Sequence, residues 1–188
     1  MIRRALLALL LLSPLPVSAN DQSAFQLPQS PGNTDALAFL DGVWIGPASM
    51  TLPSGERRSF TQMERVGPMF GGTLRVMEGR GRNAEGKGFF GALTVFSPQH
   101  DGSIEMRSWA MGHQNSRTIQ VLDGKGFVWE MKNGNNIMRY TAQVDRTSWN
   151  EIGEFITPDG KRTKFFEMAL KRVGDTDWPA ANPAFPTK

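Results

Sequence analysis

The sequence predicts an all-β protein, an antiparallel up-and-down β-barrel of about ten strands, lipocalin-like in form, with a short N-terminal helix. Short runs of strand-forming residues alternate with Gly, Asn, Asp and Pro clusters at roughly ten-residue spacing, which is typical of barrels and sandwiches. Every link between these runs is short, and short links join antiparallel neighbours, which favours a meander. A meander of this length closes most readily into a barrel because closure removes exposed strand edges.

The first 19 residues of the 188-residue chain have the pattern of a secretory signal peptide. Arg3 and Arg4 precede an apolar run, and Ala19 ends a small-x-small cleavage site. The apolar run is too short to span a bilayer. We expect cleavage after Ala19 and a periplasmic or secreted protein. Residues 20–32 are polar and contain two prolines, so we predict a flexible arm there.

The charge of the mature chain argues against nucleic acid or an anionic membrane as a partner. Without Arg3 and Arg4, the 21 basic residues fall to 19, against 18 acidic residues, and the net charge is +1. These charges are scattered and form no basic block. The chain has no cysteine, so its stability comes from the hydrophobic core rather than from disulfides. No stretch after the signal peptide is apolar enough to be a transmembrane segment.

The predicted domain spans residues 33–174 and opens with a short helix that leads into the first strand. Leu37 and Leu40 lie three residues apart on one helix face and can plug an apolar opening. Gly42 ends this helix. Trp44 follows just inside the first strand, where its ring can close one end of the barrel if its indole N–H finds a partner. Packing in an ordinary core is the alternative interpretation of Trp44.

The ten predicted strands follow one another without a second helix. Asp-Gly and Asn-Gly pairs between them are strong hairpin signals, because both central positions of such turns require positive φ. Residues 175–188 carry three prolines and no periodicity, so an irregular tail is predicted there, with Trp178 and Phe185 as its possible anchors. The predicted strands occupy residues 43–52, 56–66, 73–80, 88–96, 103–111, 116–122, 127–132, 137–145, 149–157 and 162–173.

A barrel of ten strands is too wide to be filled easily by side chains, and this geometry predicts a cavity. Aromatic and Met side chains would form its walls, although the same residues could also make a filled core. The predicted wall residues are Phe60, Phe70, Phe90, Trp109, Trp129, Tyr140, Trp149, Phe155 and Phe166, with Met77, Met106 and Met131. The candidate ligand-binding residues are Trp44, Glu64, Arg75, Arg107, Trp109, Trp129, Tyr140 and Glu167.

Glutamates within the predicted strands are the main catalytic candidates. A carboxylate that faces the inside of a barrel has a perturbed pKa or an arginine partner. Glu64, Arg75, Arg107 and Glu167 are the polar groups we expect to reach the cavity, and solvent-facing strand positions are the alternative. His100 and His113 lie in predicted turns, where an exposed histidine is the usual outcome. We therefore predict no metal ion and no cofactor, and the sequence assigns no catalytic residue.

The motif FLDGVW at residues 39–44 carries a family resemblance. With Gly71, Gly72 and a Trp-containing central strand, it resembles an exported bacterial lipocalin-like (calycin-type) family of unknown function. The resemblance covers most of the predicted domain and implies a ligand-binding barrel. In lipocalins an arginine of the final strand region stacks across the Trp of the opening motif, and Arg172 is the nearest match here.

These observations predict an exported β-barrel that binds a small apolar or amphipathic molecule. A hydrolase or isomerase that uses cavity carboxylates is one alternative, and a protein-interaction module with a filled barrel is another. The identity of the ligand and the oligomeric state stay open at this stage.

Overall fold

The computed structural model describes residues 32–178, which form a closed antiparallel barrel of ten strands. The predicted fold class is therefore confirmed. The predicted signal peptide, most of the predicted arm and the end of the predicted tail lie outside the described residues. The strands are β1 (Gly42–Thr51), β2 (Arg57–Met69), β3 (Leu74–Arg82), β4 (Gly88–Pro98), β5 (Ile104–Ala110), β6 (His113–Val121), β7 (Gly126–Asn133), β8 (Asn136–Val144), β9 (Ser148–Ile156) and β10 (Arg162–Gly174).

Each strand pairs with the next one along the chain, and β10 returns to pair with β1. In the closing pair, Trp44 lies opposite Arg172 and Ser49 lies opposite Glu167. This order is the meander that the short links predict. In residues 32–178 no helix has the length and hydropathy needed to cross a membrane.

Strand β2 is longer than predicted and runs through Pro68, which the sequence places in a turn. Strand β1 begins at Gly42, opposite Val66, so the last residues of β2 no longer face β1. On the other side Pro68 pairs with Arg75 of β3. The missing N–H of a proline is tolerated at such a strand end, where one ladder has already stopped.

Strand β6 also begins earlier than predicted, at His113. The preceding turn consists of Met111 and Gly112 alone, with φ values of 52° and 80°. Two successive positive φ angles are the signature of a tight type I′ hairpin, which joins adjacent strands directly. Methionine rarely adopts positive φ, so the sequence does not signal this turn.

One end of the barrel is closed by a six-residue 3₁₀-helix, Asp35–Leu40, here called the plug helix. Leu37 and Leu40 are fully buried, as the plug interpretation predicts. The buried indole Nε1 of Trp44 donates to the carbonyl oxygen of Leu40 at 2.8 Å, which satisfies the polar group of this ring. The guanidinium of Arg172 lies 6.0 Å from the centre of the Trp44 ring.

Arg75 fastens the plug helix to the barrel. Its side chain is 3% exposed, and its Nε and Nη2 donate to the two carboxylate oxygens of Asp41 at 2.6 and 3.0 Å. Its Nη1 donates to the backbone carbonyl of Thr34. A bidentate arginine–carboxylate pair is among the strongest side-chain hydrogen-bonded units. The charge of Arg75 is therefore used in holding the closed end together.

The aromatic core is stacked in two layers above the plug helix. Trp44 and Phe96 are fully buried in the lower layer. Trp149 lies above Trp44, with ring centres 5.9 Å apart, and Phe127 contacts Phe96 at 6.2 Å. Edge-to-face contacts of this kind favour rings in fixed positions. The upper layer therefore forms a rigid floor for the space above it.

The first residues after β10 return along the outside of β2. The guanidinium of Arg65 lies 4.4 Å from the ring centre of Trp178 and pairs with Asp177. Trp178 thus anchors the start of the predicted tail, while Phe185, its other predicted anchor, lies outside the described residues. A Cβ at Gly67 would come within 2.8 Å of the Cβ of Trp178, so this crossing requires glycine.

We expect Arg75→Met to lower the free energy of unfolding by about 3 kcal/mol, because it leaves the buried end of the Asp41 carboxylate without its donor and removes one of the two donors to the Thr34 carbonyl. Arg107→Met is the matched control, since Arg107 makes a half-exposed ion pair with Glu105, and its loss should cost about 1 kcal/mol or less. Urea unfolding of both variants measures the difference. Equal losses of unfolding free energy in the two variants would show that the Arg75–Asp41 pair stabilises the fold no more than an exposed ion pair does.

Candidate functional site

The barrel is hollow above its aromatic floor. A cavity of about 280 Å³ extends from Trp149 and Phe127 towards the end opposite the plug helix. Inward-facing residues from all ten strands line it, and most of these residues are apolar. The cavity therefore has one closed end and one open end, and the open end is formed by the hairpins that follow β1, β3, β5, β7 and β9.

Two aromatic pairs form the upper walls. Trp129 on β7 and Tyr140 on β8 lie directly opposite each other, and their rings stack at 3.8 Å between centres with an interplanar angle of 7°. Phe60 and Phe89 lie on another part of the wall, 5.1 Å apart. Nine of the predicted wall residues line this cavity, namely Phe60, Phe90, Trp129, Tyr140, Trp149, Phe166, Met77, Met106 and Met131.

Three predicted wall residues lie elsewhere. Phe70 is 80% exposed in the short turn after β2, and Trp109 is 42% exposed. Phe155 packs against Phe165, 4.4 Å away, and does not line the cavity. Met106 and Ser108 of β5 line the cavity. Because side chains alternate along a strand, Trp109 must point to the outer surface.

Strand alternation turns two polar residues of β2 inwards. Phe60, Gln62, Glu64 and Val66 share one face, and all four are buried. Since Phe60 and Val66 belong to the core, the side chains between them must point into the same interior. Gln62 and Glu64 are consequently 3% and 7% exposed, and both line the cavity.

Glycines on the neighbouring strand make room for these side chains. Glu64 pairs with Gly79 and Gln62 pairs with Gly81 across the β2–β3 ladder. A Cβ at Gly79 would come within 2.9 Å of both carboxylate oxygens of Glu64. A Cβ at Gly81 would come within 3.2 Å of Oε1 of Gln62. The two glycines therefore form a recess in the cavity wall that is occupied by polar groups.

Glu64 is only partly satisfied in this recess. Its Oε1 accepts a 2.7 Å hydrogen bond from Nε2 of Gln62. Among the described residues, neither its Oε2 nor Oε1 of Gln62 has a hydrogen-bond partner. Burial raises the pKa of Glu64 to about 8, opposed by the bond from Gln62 and assisted by the charges of Glu151 and Glu78.

Glu151 on β9 is the second buried carboxyl in the cavity, and it is 7% exposed. It lies two positions from Trp149, whose indole Nε1 donates to its Oε2 at 3.3 Å. Burial raises the pKa of Glu151 to about 7, and hydrogen bonds from Trp149 and Trp129 oppose that rise. Both cavity carboxyls therefore change charge close to neutral pH.

Arg117 is the cationic residue on the cavity wall. Its guanidinium lies 4.8 Å from the ring centre of Trp129, in cation–π geometry. Its Nε and Nη1 have no hydrogen-bond partner among the described residues, and burial lowers the pKa of this side chain. Burial also raises the pKa of Tyr140, and Glu151 adds to that rise.

The barrel wall is split beside Arg117. Strands β6 and β7 pair only through Gln120 with Val128 and Val121 with Phe127, next to their connecting turn. No ladder joins the rest of the two strands, which separate towards the open end. Arg117 of β6 reaches across this split to Trp129 of β7. The backbone ladder is thus interrupted here, and the side chain of Arg117 bridges the two strands.

Three of the eight candidate ligand-binding residues meet in the cavity: Glu64, Trp129 and Tyr140. Trp44 lies below the floor, and Arg75 belongs to the clamp of the plug helix. Both face the interior, but at the closed end. The ring of Trp44 and the charge of Arg75 therefore stabilise the closed end of the barrel.

The other three candidates lie on the outer surface. Arg107 pairs with Glu105 and Trp109 is exposed. Glu167 accepts hydrogen bonds from Arg57 and Lys164, which lower its pKa to about 2. Each of these side chains occupies the strand face opposite the cavity wall.

Gln62, Arg117 and Glu151 line the cavity but were not among the eight candidate ligand-binding residues, although Glu151 is one of the strand glutamates considered for catalysis. A signal for each existed in the alternation of its strand. Arg117 lies two positions from the buried Ile119, and Glu151 lies two positions from the buried Trp149. Because alternate residues of a strand share one face, a buried apolar residue indicates that the residue two positions away also points inwards.

Neither histidine faces the cavity. His100 lies in the turn after β4 and His113 begins β6, and both are exposed. Within residues 32–178, no group of three or more His, Asp or Glu side chains is arranged to hold a metal ion.

No protein-family model and no curated protein matches the sequence. Among solved structures, the chain is similar to the crystal structure of Rv2717c from M. tuberculosis. The TM-score is 0.56 and the sequence identity is 14%, over 73% of this chain and 95% of the other. At this identity the similarity concerns the fold alone, and it shows that the barrel architecture recurs in another protein.

We expect the stability of the ligand-free protein to fall as the pH rises from about 5 to about 8. In the unfolded chain, Glu64 and Glu151 ionise near their ordinary pKa of 4.5, whereas in the folded barrel their pKa values are about 8 and about 7. The folded state therefore binds more protons in this window, and raising the pH removes stability by up to about 1.4 kcal/mol per pH unit and carboxyl.

Melting temperatures of the wild type, Glu64→Gln and Glu130→Gln across this pH window test the prediction. Glu64→Gln removes one buried titrating group and should flatten the curve. Glu130 pairs with Arg139 on the outside, so its variant should keep the slope of the wild type. A wild-type melting temperature that stays constant over this window would contradict the prediction.

Proposed function

We propose that this protein binds a small apolar or amphipathic molecule inside its barrel. The observation that carries the proposal is an aromatic-walled cavity in which Glu64 and Gln62 are buried, each with an oxygen atom that has no hydrogen-bond partner within residues 32–178. Buried polar groups in proteins are nearly always hydrogen-bonded, and a group left without a partner destabilises the fold. A ligand that supplies the missing partner while burying an apolar body would remove that cost.

The size and lining of the cavity agree with this proposal. Its volume of about 280 Å³ is near the lower end of the range of ~300–1,000 Å³ for small-molecule sites. Mostly apolar walls with a few convergent polar groups are typical of such sites. Met77, Met106 and Met131 add flexible side chains that can adjust to the shape of a ligand. A filled barrel that acts only through its surface has less support.

Access to the site needs no opening of the plug. A ligand can approach between the hairpins at the open end. The plug helix and the floor of Trp149 and Phe127 then serve as a fixed base. The closed end explains why a bound molecule would remain in the cavity instead of passing through.

We further propose that the protein acts outside the cytoplasm, after cleavage following Ala19, and that it is related to the lipocalin-like barrels. The first proposal is supported by the pattern of the first 19 residues. The second is supported by the position of Arg172 over Trp44, behind a short plug helix. Mass spectrometry of the mature N-terminus from an exporting host tests the cleavage site, and an exported protein that retains Met1 would contradict it.

An enzyme is the second candidate function, because two buried carboxyls have pKa values near 7 and 8. A carboxyl that titrates near the working pH is suited to general acid–base catalysis. In a hydrolase or isomerase, Glu64 or Glu151 would move a proton to or from a substrate held against the aromatic walls. Turnover of ester, epoxide and enol reporters tests this. Activity that survives in both Glu64→Gln and Glu151→Gln would exclude these carboxyls.

We expect the small-molecule ligand to raise the melting temperature of the protein, because a ligand that binds only the folded state stabilises that state. At a hundredfold excess over Kd the gain is about 2.7 kcal/mol, which corresponds to roughly 5–10 °C. Native mass spectrometry of the protein purified from an exporting host identifies co-purified molecules, and a thermal-shift screen of small amphipathic compounds covers those lost during purification.

The tryptophan emission of the protein locates the binding. A ligand in the cavity should change the emission of Trp129, so Trp129→Phe should reduce the response. Trp109→Phe is the matched control, since Trp109 lies on the outer surface. A response that depends on Trp109 and not on Trp129 would place the binding outside the barrel.

A further inference from the structure

We infer that the recess formed by Glu64, Gln62 and Glu151 binds the protonated amine of a ligand whose apolar body lies between the aromatic walls. This inference rests on the proposed function and names the chemical class of the ligand. It is carried by the hydrogen-bonding inventory of the cavity, by the space built around Glu64, and by the rings that surround it.

The polar atoms of the recess that lack a hydrogen-bond partner are acceptors. Oε2 of Glu64 and Oε1 of Gln62 lack a donor among the described residues, although both side chains are more than nine-tenths buried. Glu151 lies in the same cavity, and its only neighbouring donors there are the indole N–H groups of Trp149, at 3.3 Å, and Trp129 among the described residues. An ammonium group has donors and no acceptor, so it matches these oxygens. A carboxylate or phosphate has only acceptors and would oppose them.

The recess is constructed for a carboxylate at this position. Gly79 leaves the space that Glu64 occupies, since a Cβ there would come within 2.9 Å of both oxygens. Across the other ladder Glu64 faces Trp44, which lies beneath the floor. The carboxyl is therefore held between a fixed floor and a small-residue wall, at the deep end of the cavity.

The surrounding rings also favour a cation. Trp129, Tyr140 and Trp149 line the same cavity as the two carboxyls. The faces of indole and phenol rings attract ammonium groups, and this attraction strengthens where water is excluded. Buried carboxyls and aromatic faces together therefore select positive charge on a small, partly apolar molecule.

Arg117 is the residue of the cavity lining that would favour a negatively charged ligand. Its guanidinium is half-buried at the split and already lies over the ring of Trp129. Its Nε and Nη1 are also buried without a hydrogen-bond partner among the described residues. An anionic group at Arg117 would, however, meet two carboxyls, Glu64 and Glu151, in the same cavity, so the balance of charge on the cavity lining favours a cation.

Binding of an ammonium group should depend on pH through Glu64. The charges that raise the pKa of Glu64 are those of Glu151 on β9, in the same cavity, and of Glu78, on the outer face of β3, while the neighbour from β1 is the neutral Trp44. Below a pKa of about 8 the carboxyl must lose its proton to pair with the amine. The amine should therefore bind more tightly as the pH rises from about 6 to 8, with release of protons.

The test uses three probes that share one apolar body: 2-phenylethylamine, 2-phenylethanol and 3-phenylpropanoate. Isothermal titration with the mature protein at pH 8 compares their affinities. We expect the amine to bind at least about tenfold more tightly than the other two. Titrations of the amine at about pH 6.5, in buffers of different ionisation enthalpy, should reveal proton release, and the alcohol should show none.

Two pairs of variants locate the interaction. Glu64→Gln keeps the shape of the side chain and should weaken amine binding about 10- to 100-fold, whereas Glu130→Gln on the outer surface should not. Gly79→Ala should displace the Glu64 carboxyl and weaken amine binding in a protein that keeps its acidic residues. Gly91→Ala is its control, because a Cβ at Gly91 meets nothing within 4 Å.

The outcomes separate this inference from the proposed function. An amine preference that Glu64→Gln abolishes supports the inference. Equal binding of amine and alcohol, tighter binding of the carboxylate, or an amine affinity unchanged in Glu64→Gln overturns it, while the cavity remains a binding site. If none of the three probes binds, the inference fails, and the compound screen decides the proposed function independently.

Discussion

The closed end of the barrel depends on the ion pair between Arg75 and Asp41. Arg75 is buried, and its donors reach the Asp41 carboxylate and the Thr34 carbonyl. These bonds hold the plug helix under the floor of the barrel, where Leu40 accepts the hydrogen bond of Trp44. Without this closure the lower aromatic layer of Trp44 and Phe96 would be exposed at this end of the barrel. With it, that layer supports the floor on which the cavity rests.

The same barrel treats its charged residues in two ways. On the outer surface, carboxylates such as Glu167 have basic neighbours that lower their pKa. Inside, Glu64 and Glu151 have no basic partner among the described residues, and burial raises their pKa. A fold keeps such groups at the expense of stability, and strained or unsatisfied groups concentrate at functional sites. The cavity is therefore the part of the described chain in which buried polar groups lower the stability of the fold.

Much of the fold was predictable because local rules specify it. Strand length, short links and hairpin residues predict the ten-stranded meander, and the structure confirms the fold class. The exceptions have local causes, such as the turn at Met111, where a residue with no turn preference adopts positive φ. In the candidate site, Glu64, Trp129 and Tyr140 were predicted to face the cavity and do so. Arg107, Trp109 and Glu167 were assigned to it but lie on the opposite strand faces.

The amino-acid sequence by itself determined the class of the fold, the number of strands and the aromatic character of the interior, because propensities and two-residue alternation act over short distances. It could not determine which face of each strand points inwards, because a shift of one residue exchanges the two faces. Only the closed barrel decided that Glu64 and Glu151, from strands far apart in sequence, share one cavity, where neither forms an ion pair with any residue that the structure describes. It also decided the split between β6 and β7, because the loss of a ladder depends on the curvature of the whole sheet.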